Sequence, residues 1–348
     1  MPLHQSPPPC PDPRAASRTD EADLWFLPGP QEPDPAPPRA MDIAAWTRAE
    51  AGQAAALARV AGRLGALDDR LARGPQGWRH RLALREAAQL GWALGLRVGQ
   101  DRLAQWLALR LNGPQDDAIA LGRLGWAVRR LSGGPSPDLD LAGFAANRDG
   151  GQPDPATRGA APAAVPSGRG VTDVWQMFPA AVAALHPVTR GAVFLHLWPQ
   201  ALPVDMTGDP LLGAVAGVRL AASGLQGAPF LPVDAAGAAL RMDGDAHARL
   251  ARWYAGAESA TLAALRHLDA VEQWQTRARD TCRDLSGRTV PVLIDLFAAW
   301  PLLSAPMAEP LSGASRAAVQ RNLATLQQRG LIREVTGQGR YRYWAARV

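Results

Sequence analysis

Arginine and glutamine side chains recur near the end of the chain at the spacing of one helix face. Val319, Leu323 and Leu326 follow one another at i, i+4 and i+7, the spacing of an apolar helix face. If that face points inward, four polar side chains point outward, namely Arg316, Gln320, Arg321 and Gln327. Arginine pairs with guanine and glutamine with adenine in the major groove, so this face predicts contacts to double-stranded DNA.

The residues around this helix make it the third helix of a predicted winged helix-turn-helix. An apolar first helix stops at Trp300-Pro301, and a short second helix covers about 304–311. After a turn at 312–314, Ser315 is placed to cap the third helix and Gly330 to end it. Two short β-like runs joined by a glycine-containing loop then predict a hairpin wing.

The predicted wing is cationic on one face. Arg340 and Arg342 alternate with Tyr341 and Tyr343, so both guanidinium groups can lie against the phosphate backbone. Residues 289–348 contain seven arginines against three acidic side chains. This localised charge favours DNA binding. Winged helices also serve as protein-docking or dimerisation modules, and that alternative stays open.

The composition of the whole chain says less about partners. Of its 348 residues, 47% are hydrophobic. All 37 basic residues are arginines, and because 32 acidic residues balance them, the net charge is only +5. No apolar run reaches the roughly 20 residues that span a bilayer, and the N-terminus lacks a secretory pattern. The two cysteines, Cys10 and Cys282, have no metal or redox spacing. The sequence predicts a soluble, cytoplasmic protein without a cofactor or metal.

Five segments follow from the distribution of proline, glycine and apolar residues. Residues 1–41 are rich in proline and predict a disordered arm, and residues 132–171 predict a flexible linker. Two helical segments, 42–131 and 172–288, form the predicted body, and residues 289–348 form the winged helix. The predicted fold class is therefore mainly α, a helical bundle followed by a small winged helix-turn-helix with a β-hairpin wing.

Several details of the arm and body are also predicted. In the arm, the apolar tetrad Leu24–Leu27 either anchors on the protein's own surface or docks a protein partner. A helical stripe comprises Leu57, Val60, Leu64, Leu67 and Leu71. Three tryptophans are predicted to lie in the core, Trp92, Trp106 and Trp126. The pairs Asp68-Asp69 and Asp116-Asp117 are predicted to be solvated helix caps. N-caps are predicted at Asp209, Asp245 and Ser259. His186 and His196 lie ten positions apart, off one helix face, so they do not predict a metal pair.

One body segment resembles the catalytic loop of the Fic family. The segment runs His186-Pro187-Val188-Thr189-Arg190-Gly191, and the family's loop reads HPFxxGNGR. The resemblance implies that His186 matches the family's general base and that Pro187 and Gly191 match its proline and first glycine. Arg190 stands where the family has its acidic magnesium ligand, and Phe194 stands where it has its phosphate-binding arginine. The resemblance therefore implies a degenerate, inactive site.

A second segment resembles the inhibitory helix of the same family, EAxxSSxIEG. Residues 86–95 begin with Glu86-Ala87, but Leu94 replaces the late glutamate that blocks the family's arginine. More closely, residues 42–348 are similar to an uncharacterised bacterial family in which the domain of unknown function 1612 precedes a helix-turn-helix. That resemblance implies a DNA-binding protein with no assigned reaction.

These observations predict a non-enzymatic transcriptional regulator that binds double-stranded DNA. Ser315, Arg316, Gln320, Arg321, Gln327, Arg340 and Arg342 are its predicted DNA contacts. A homodimer is expected because many helix-turn-helix proteins bind paired half-sites. Two alternatives remain, a protein-interaction adaptor and a Fic-type nucleotidyltransferase with an unorthodox site.

Overall fold

A computed structural model describes residues 42–109, 115–137, 141–145, 178, 180–201, 209–233, 237–337 and 342–348. Residues 41–348 form one compact unit. The predicted arm, its Leu24–Leu27 tetrad and most of the predicted linker lie outside the described residues. The fold is mainly helical, with a small C-terminal sheet.

The body is built from helices that the sequence pattern largely predicts. These helices are α1 (Ile43–Gly52), α2 (Ala54–Arg73), α3 (Gln76–Ala93), α4 (Gln100–Leu109), α5 (Gln115–Ser132), α6 (Leu141–Ala145), α7 (Pro187–Ala201), α8 (Pro210–Leu220) and α9 (Ala246–Thr281). The predicted stripe on α2 is confirmed, since Val60, Leu64, Leu67 and Leu71 are buried and Leu57 is half-buried.

Two helices of the body approach each other through glycine. Gly191 on α7 faces α8, where a Cβ atom added to Gly191 would lie 2.4 Å from the carbonyl oxygen of Gly217 and 2.7 Å from the Cβ of Ala221. Asp209 caps α8 with its carboxylate, which accepts from the Leu212 amide at 3.1 Å, and Pro210 occupies the first turn, as predicted.

Helix α9 connects the two hydrophobic cores of the molecule. It has 36 residues and is therefore about 54 Å long at 1.5 Å per residue. Its N-terminal part packs Leu250, Trp253 and Leu268 into a first core with the body helices. Its C-terminal part packs Val271 and Trp274 into a second core with the C-terminal segment.

The C-terminal segment folds in the predicted order, with one additional strand. Its elements are α10 (Thr289–Ala299), β1 (Leu303–Ser304), α11 (Ala305–Ser312), α12 (Arg316–Gln328), β2 (Ile332–Glu334) and β3 (Tyr343–Ala346). The antiparallel sheet has the order β1-β3-β2, with Leu303 opposite Trp344 and Glu334 opposite the same residue on the other side. This is a winged helix-turn-helix arrangement. The sequence missed β1 because a two-residue strand has no period to detect.

Several local predictions about the body are wrong. Leu141–Ala145, inside the predicted linker, form α6, and Phe144 is buried against Trp126. Ser259 lies in the middle of α9, because the helix that Asp245 caps contains no proline and continues through Gly256 to Thr281. Trp92 is 55% exposed, whereas Trp126 is buried as predicted and Trp106 is half-buried.

One carboxylate predicted as a helix cap has a different role. Asp68 lies inside α2, where its Oδ1 accepts from the backbone amides of Gly227 at 2.6 Å and Ala228 at 2.8 Å. Asp68 therefore fastens the segment after α8 to α2. Among the described helices, none is both long and apolar enough to cross a lipid bilayer.

Candidate nucleic-acid interface

Helix α12 is positioned by its apolar face, as predicted. Val319, Leu323 and Leu326 are all fully buried in the second core. Ser315 is the N-cap, and its hydroxyl accepts from the Ala318 amide at 3.4 Å. Because the inward face is fixed and the first turn is capped, the outward face of α12 has a defined orientation.

The turn before α12 depends on a glycine that ends α11, a helix that contains two prolines. Ser304 caps α11, and Pro306 lies in its first turn, where an amide is not needed. Gly313 ends α11 with φ of 63°, a left-handed conformation that favours glycine. Pro310 lies inside α11 and removes one helix hydrogen bond there, yet the helix continues to Ser312.

The outward face of α12 carries exposed polar side chains. Arg316, Gln320 and Arg321 are all exposed. The Nε of Arg316 donates to Glu309 Oε1 on α11 at 2.7 Å, and this hydrogen bond raises the pKa of Arg316. The bond uses one of the five N–H donors of the guanidinium and leaves the others for a partner. Glu309 is a residue that the sequence did not single out, since its partner is seven positions away and on another helix.

Gln327, the last predicted contact on α12, is oriented toward the sheet. Its Oε1 accepts from the indole Nε1 of Trp344 at 3.0 Å. Gln327 is exposed, but its acceptor is used within the fold. Its amide nitrogen keeps both donors for a partner, and its oxygen keeps one lone pair. Sequence spacing could not show this, because Trp344 lies on β3.

The sheet after α12 packs against α4 of the body. Tyr343 is buried, and its hydroxyl donates to the Ala108 carbonyl at 3.0 Å. Gln105 donates to the Val335 carbonyl at 2.6 Å, and Arg333 pairs with Asp101 at 2.9 Å. Thus Tyr343 holds the hairpin against the body.

Arg342 is the wing arginine that the structure describes, and Arg340 lies outside the described residues. Arg342 is half-exposed, with its Nε 3.8 Å from Glu334 Oε2 on the neighbouring strand. The predicted alternation holds at this pair of positions, because Arg342 is exposed while Tyr343 is buried.

A comparison with known families finds a match for this segment. Residues 290–346 match the family model of an HTH DNA binding domain. The C-terminal segment is therefore similar to helix-turn-helix DNA-binding domains. The match does not extend to the body, and no curated protein matches the chain by sequence.

The helix-turn-helix domain is joined to the body by a buried arginine. Arg81 on α3 is 6% exposed, and its Nη2 donates to the carbonyls of Phe297 at 2.9 Å and Trp300 at 2.7 Å. Burial lowers the pKa of Arg81 to about 10, so it remains cationic near neutral pH. It therefore caps the C-terminal end of α10, where helix carbonyls lack partners and carry partial negative charge.

In the body, the Fic-like residues hold the start of α7. The ring Nδ1 of His186 accepts from the Val188 amide at 3.2 Å, and Pro187 begins the helix. The backbone amide of His186 donates to Glu50 Oε2 at 3.0 Å. Burial lowers the pKa of the His186 imidazole, more than Glu50 raises it.

The other two residues of this motif also contact the protein's own backbone. Arg190, at the position of the family's acidic ligand, donates to the carbonyls of Leu185 at 2.8 Å and Ala183 at 2.7 Å. Gly191 permits the close approach of α7 to α8. These contacts give four residues of the motif a structural role: His186 in helix capping, Pro187 in the helix start, Arg190 in turn closure and Gly191 in helix packing.

Proposed function

We propose that the protein is a transcriptional regulator that reads double-stranded DNA with α12. The supporting observation is the division of this helix into a fully buried apolar face and an exposed face bearing Arg316, Gln320 and Arg321. The helix belongs to a domain whose family binds DNA. A recognition helix with this division presents its polar side chains to the major groove.

Each predicted contact has a chemically defined part in this proposal. Gln320 pairs with adenine, and Arg321 pairs with guanine or an adjacent phosphate. Arg316, held on one edge by Glu309, uses its remaining donors for a base or phosphate. Ser315 orients the first turn, whose partial positive charge favours a phosphate.

The hairpin contributes contacts to the DNA backbone in this proposal. Arg340 and Arg342 reach phosphates, and Gln327 contributes its amide nitrogen, since its oxygen already accepts from Trp344. The docking of Tyr343 on α4 holds the hairpin at a fixed angle to the body. The arginines would therefore meet DNA from a rigid support.

The body is proposed to act without catalysis. His186, Pro187 and Gly191 are engaged in capping and packing, which supports a degenerate rather than a working Fic-like site. We further propose a homodimer that binds paired half-sites, without cofactor, in the cytoplasm and on the nucleoid. The proline-rich arm is proposed to bind a protein partner.

The test is Arg321→Ala in the full-length chain. Binding to mixed-sequence duplex DNA is measured by fluorescence anisotropy at several salt concentrations. If Arg321 contacts phosphate, affinity falls across all sequences and the slope of log K against log salt becomes shallower by about one unit. Arg340→Ala is expected to do the same for the wing.

Arg73→Ala is the matched control, since Arg73 is 76% exposed on α2 of the body. It should leave the salt slope unchanged. Wild-type protein that fails to bind any duplex at low salt would exclude the proposal and favour the adaptor function instead.

A further inference from the structure

Glu309 contacts the start of α12, although it belongs to the neighbouring helix α11. Ala305 and Ala308 of α11 are buried in the second core, so the packing of that core sets the position of the helix. The Glu309 side chain is only 24% exposed, whereas that of Arg316 is 66% exposed. A half-buried carboxylate on a packed helix therefore holds an exposed guanidinium.

One hydrogen bond joins the two side chains. Oε1 of Glu309 accepts from Nε of Arg316 at 2.7 Å, and such a charge-assisted bond is stronger than one between neutral groups. The N–H groups on the two terminal nitrogens of Arg316 make no hydrogen bond with any residue that the structure describes. These two nitrogens can donate side by side to O6 and N7 of guanine.

Helix stability does not explain an arginine at this position. Arg316 is the first residue of α12, directly after the cap Ser315. The first turn of a helix carries partial positive charge, which favours acidic side chains and disfavours cations. The first turn of α12, which the structure describes completely, contains no acidic residue, and Glu309 comes from another helix. The pair therefore indicates a use of Arg316 outside the fold.

Arg321 differs from Arg316 in this respect. The Arg321 side chain is exposed and makes no hydrogen bond or ion pair with any residue that the structure describes. Binding a phosphate requires positive charge more than a fixed orientation. Reading a base requires a fixed orientation, and the negative charge of Glu309 weakens the attraction of Arg316 to phosphate. The two arginines are therefore suited to different parts of the DNA.

We propose that Arg316 reads a guanine base and that Glu309 is the residue that positions it. This inference rests on the proposed function, to which it adds one base of the recognised sequence and the residue that determines its readout. Arg316 donates from its two terminal nitrogens to O6 and N7 of guanine, while Glu309 holds its Nε. Gln320, one turn further along α12, reads a different base pair, and Arg321 binds phosphate.

The experiment begins with the selection of bound duplexes from a randomised DNA library by the full-length protein. Fluorescence anisotropy with single-base substitutions of the selected sequence then measures the preference at each position. Arg316→Ala should lower the preference for guanine at one position by about tenfold, because a bidentate pair is lost. It should leave the slope of log K against log salt nearly unchanged, since no phosphate contact is lost.

Two substitutions of Glu309 separate its orienting role from its charge. Glu309→Ala removes the acceptor and should lower the same guanine preference by about fivefold, while the affinity for mixed-sequence duplex stays the same or rises. Glu309→Gln keeps an acceptor oxygen without the charge, so it should retain part of the preference. A purely structural role of Glu309 would instead lower the affinity for all duplexes equally.

Two control variants should leave the preference at this guanine intact. Gln320→Ala should change the preference at another position only. Asp295→Ala removes a carboxylate of α10 that pairs with Arg279 at 2.6 Å. It changes the charge of the domain as Glu309→Ala does, without removing the partner of Arg316. Thermal unfolding of each variant distinguishes loss of binding from loss of folding.

A full guanine preference in Glu309→Ala, or an equal loss of affinity for all duplexes, would overturn the inference. A salt slope that Arg316→Ala makes shallower by about one unit, with every base preference kept, would assign Arg316 to phosphate and overturn it too. In each of these cases the protein still binds DNA, so the proposed function stands. Wild-type protein that binds no duplex would instead exclude the proposed function itself.

Discussion

The two cores of this protein use their polar residues in different ways. In the first core, polar groups such as Glu86, Thr189 and His196 are buried with the apolar side chains. In the second core, which contains Val319 and Leu323, the polar side chains of α12 are exposed instead. The first arrangement stabilises the fold, and the second leaves side chains available to a partner.

This comparison shows how a motif can resemble a catalytic loop and still serve the fold. His186 and Arg190 are chemically versatile, yet each bonds to backbone groups within a few residues. Arg321 is less conspicuous in the sequence but makes no hydrogen bond or ion pair through its side chain among the residues described. A side chain's availability, rather than its type, distinguishes the two regions.

The largest expected effect is at the junction of the two cores. Arg81→Ala leaves the carbonyls of Phe297 and Trp300 buried without a donor, so the free energy of unfolding should fall by about 4 kcal/mol. The measurement is urea denaturation followed by far-UV circular dichroism. Arg73→Ala, on the exposed surface of α2, should change stability by less than about 0.5 kcal/mol. Equal effects of the two substitutions would show that Arg81 does not hold the domains together.

A second substitution tests the structural role of the Fic-like glycine. Gly191→Ala places a Cβ 2.4 Å from the Gly217 carbonyl oxygen, so α7 and α8 must separate, at a cost of about 3 kcal/mol. Thermal and urea unfolding measure the loss. Gly62→Ala is the control, because a Cβ there, on exposed α2, meets no atom within 4 Å. It should stabilise the protein by up to about 1 kcal/mol. A neutral Gly191→Ala would remove the packing explanation.

The histidines give the two regions different responses to acid. The helix-turn-helix domain has no histidine, whereas burial lowers the pKa of His196 to about 3 and that of His267 to about 4. In the unfolded chain these two histidines become protonated below about pH 6.5, whereas in the folded protein they stay neutral there. The free energy of unfolding is therefore highest above pH 6.5 and falls as the pH decreases toward 4.

The expected loss between pH 7 and pH 5 is on the order of 2 kcal/mol for each of these two histidines. Urea denaturation at a series of pH values measures it. His196→Asn should flatten the dependence, and His247→Gln, at an exposed position on α9, should not. A slope that His196→Asn leaves unchanged would assign the acid sensitivity to other groups.

The smallest expected effects concern the contact between the sheet and α4. Tyr343→Phe removes the hydrogen bond to the Ala108 carbonyl and should cost about 1 kcal/mol. Asp101→Ala removes the ion-pair partner of Arg333. The side chains of Arg333 and Asp101 are 45% and 60% exposed, so the free energy of unfolding should fall by at most about 0.5 kcal/mol. Chemical denaturation of both variants measures which contact stabilises the docked sheet more. A larger loss of stability for Asp101→Ala than for Tyr343→Phe would contradict the prediction.

The order of helices and strands in the candidate interface could be predicted from the sequence, but only some of its contacts could. The 3- and 4-residue spacing of Val319, Leu323 and Leu326 identified α12 and its exposed face, because a helix period is a local property. The hydrogen bonds of Arg316 with Glu309 and of Gln327 with Trp344 connect different elements. No spacing within one helix could predict them.

By itself, the sequence determined the helix-turn-helix order, the buried stripe of α2 and the caps at Asp209 and Asp245. These depend on residue types within one or two helical turns. Only the tertiary structure decided that Arg81 holds α10 and that Gly191 serves helix packing. Such properties depend on which atoms the fold brings together from distant parts of the chain. Apolar periodicity cannot predict them, because it specifies which face of a helix is buried but not which residues pack against that face.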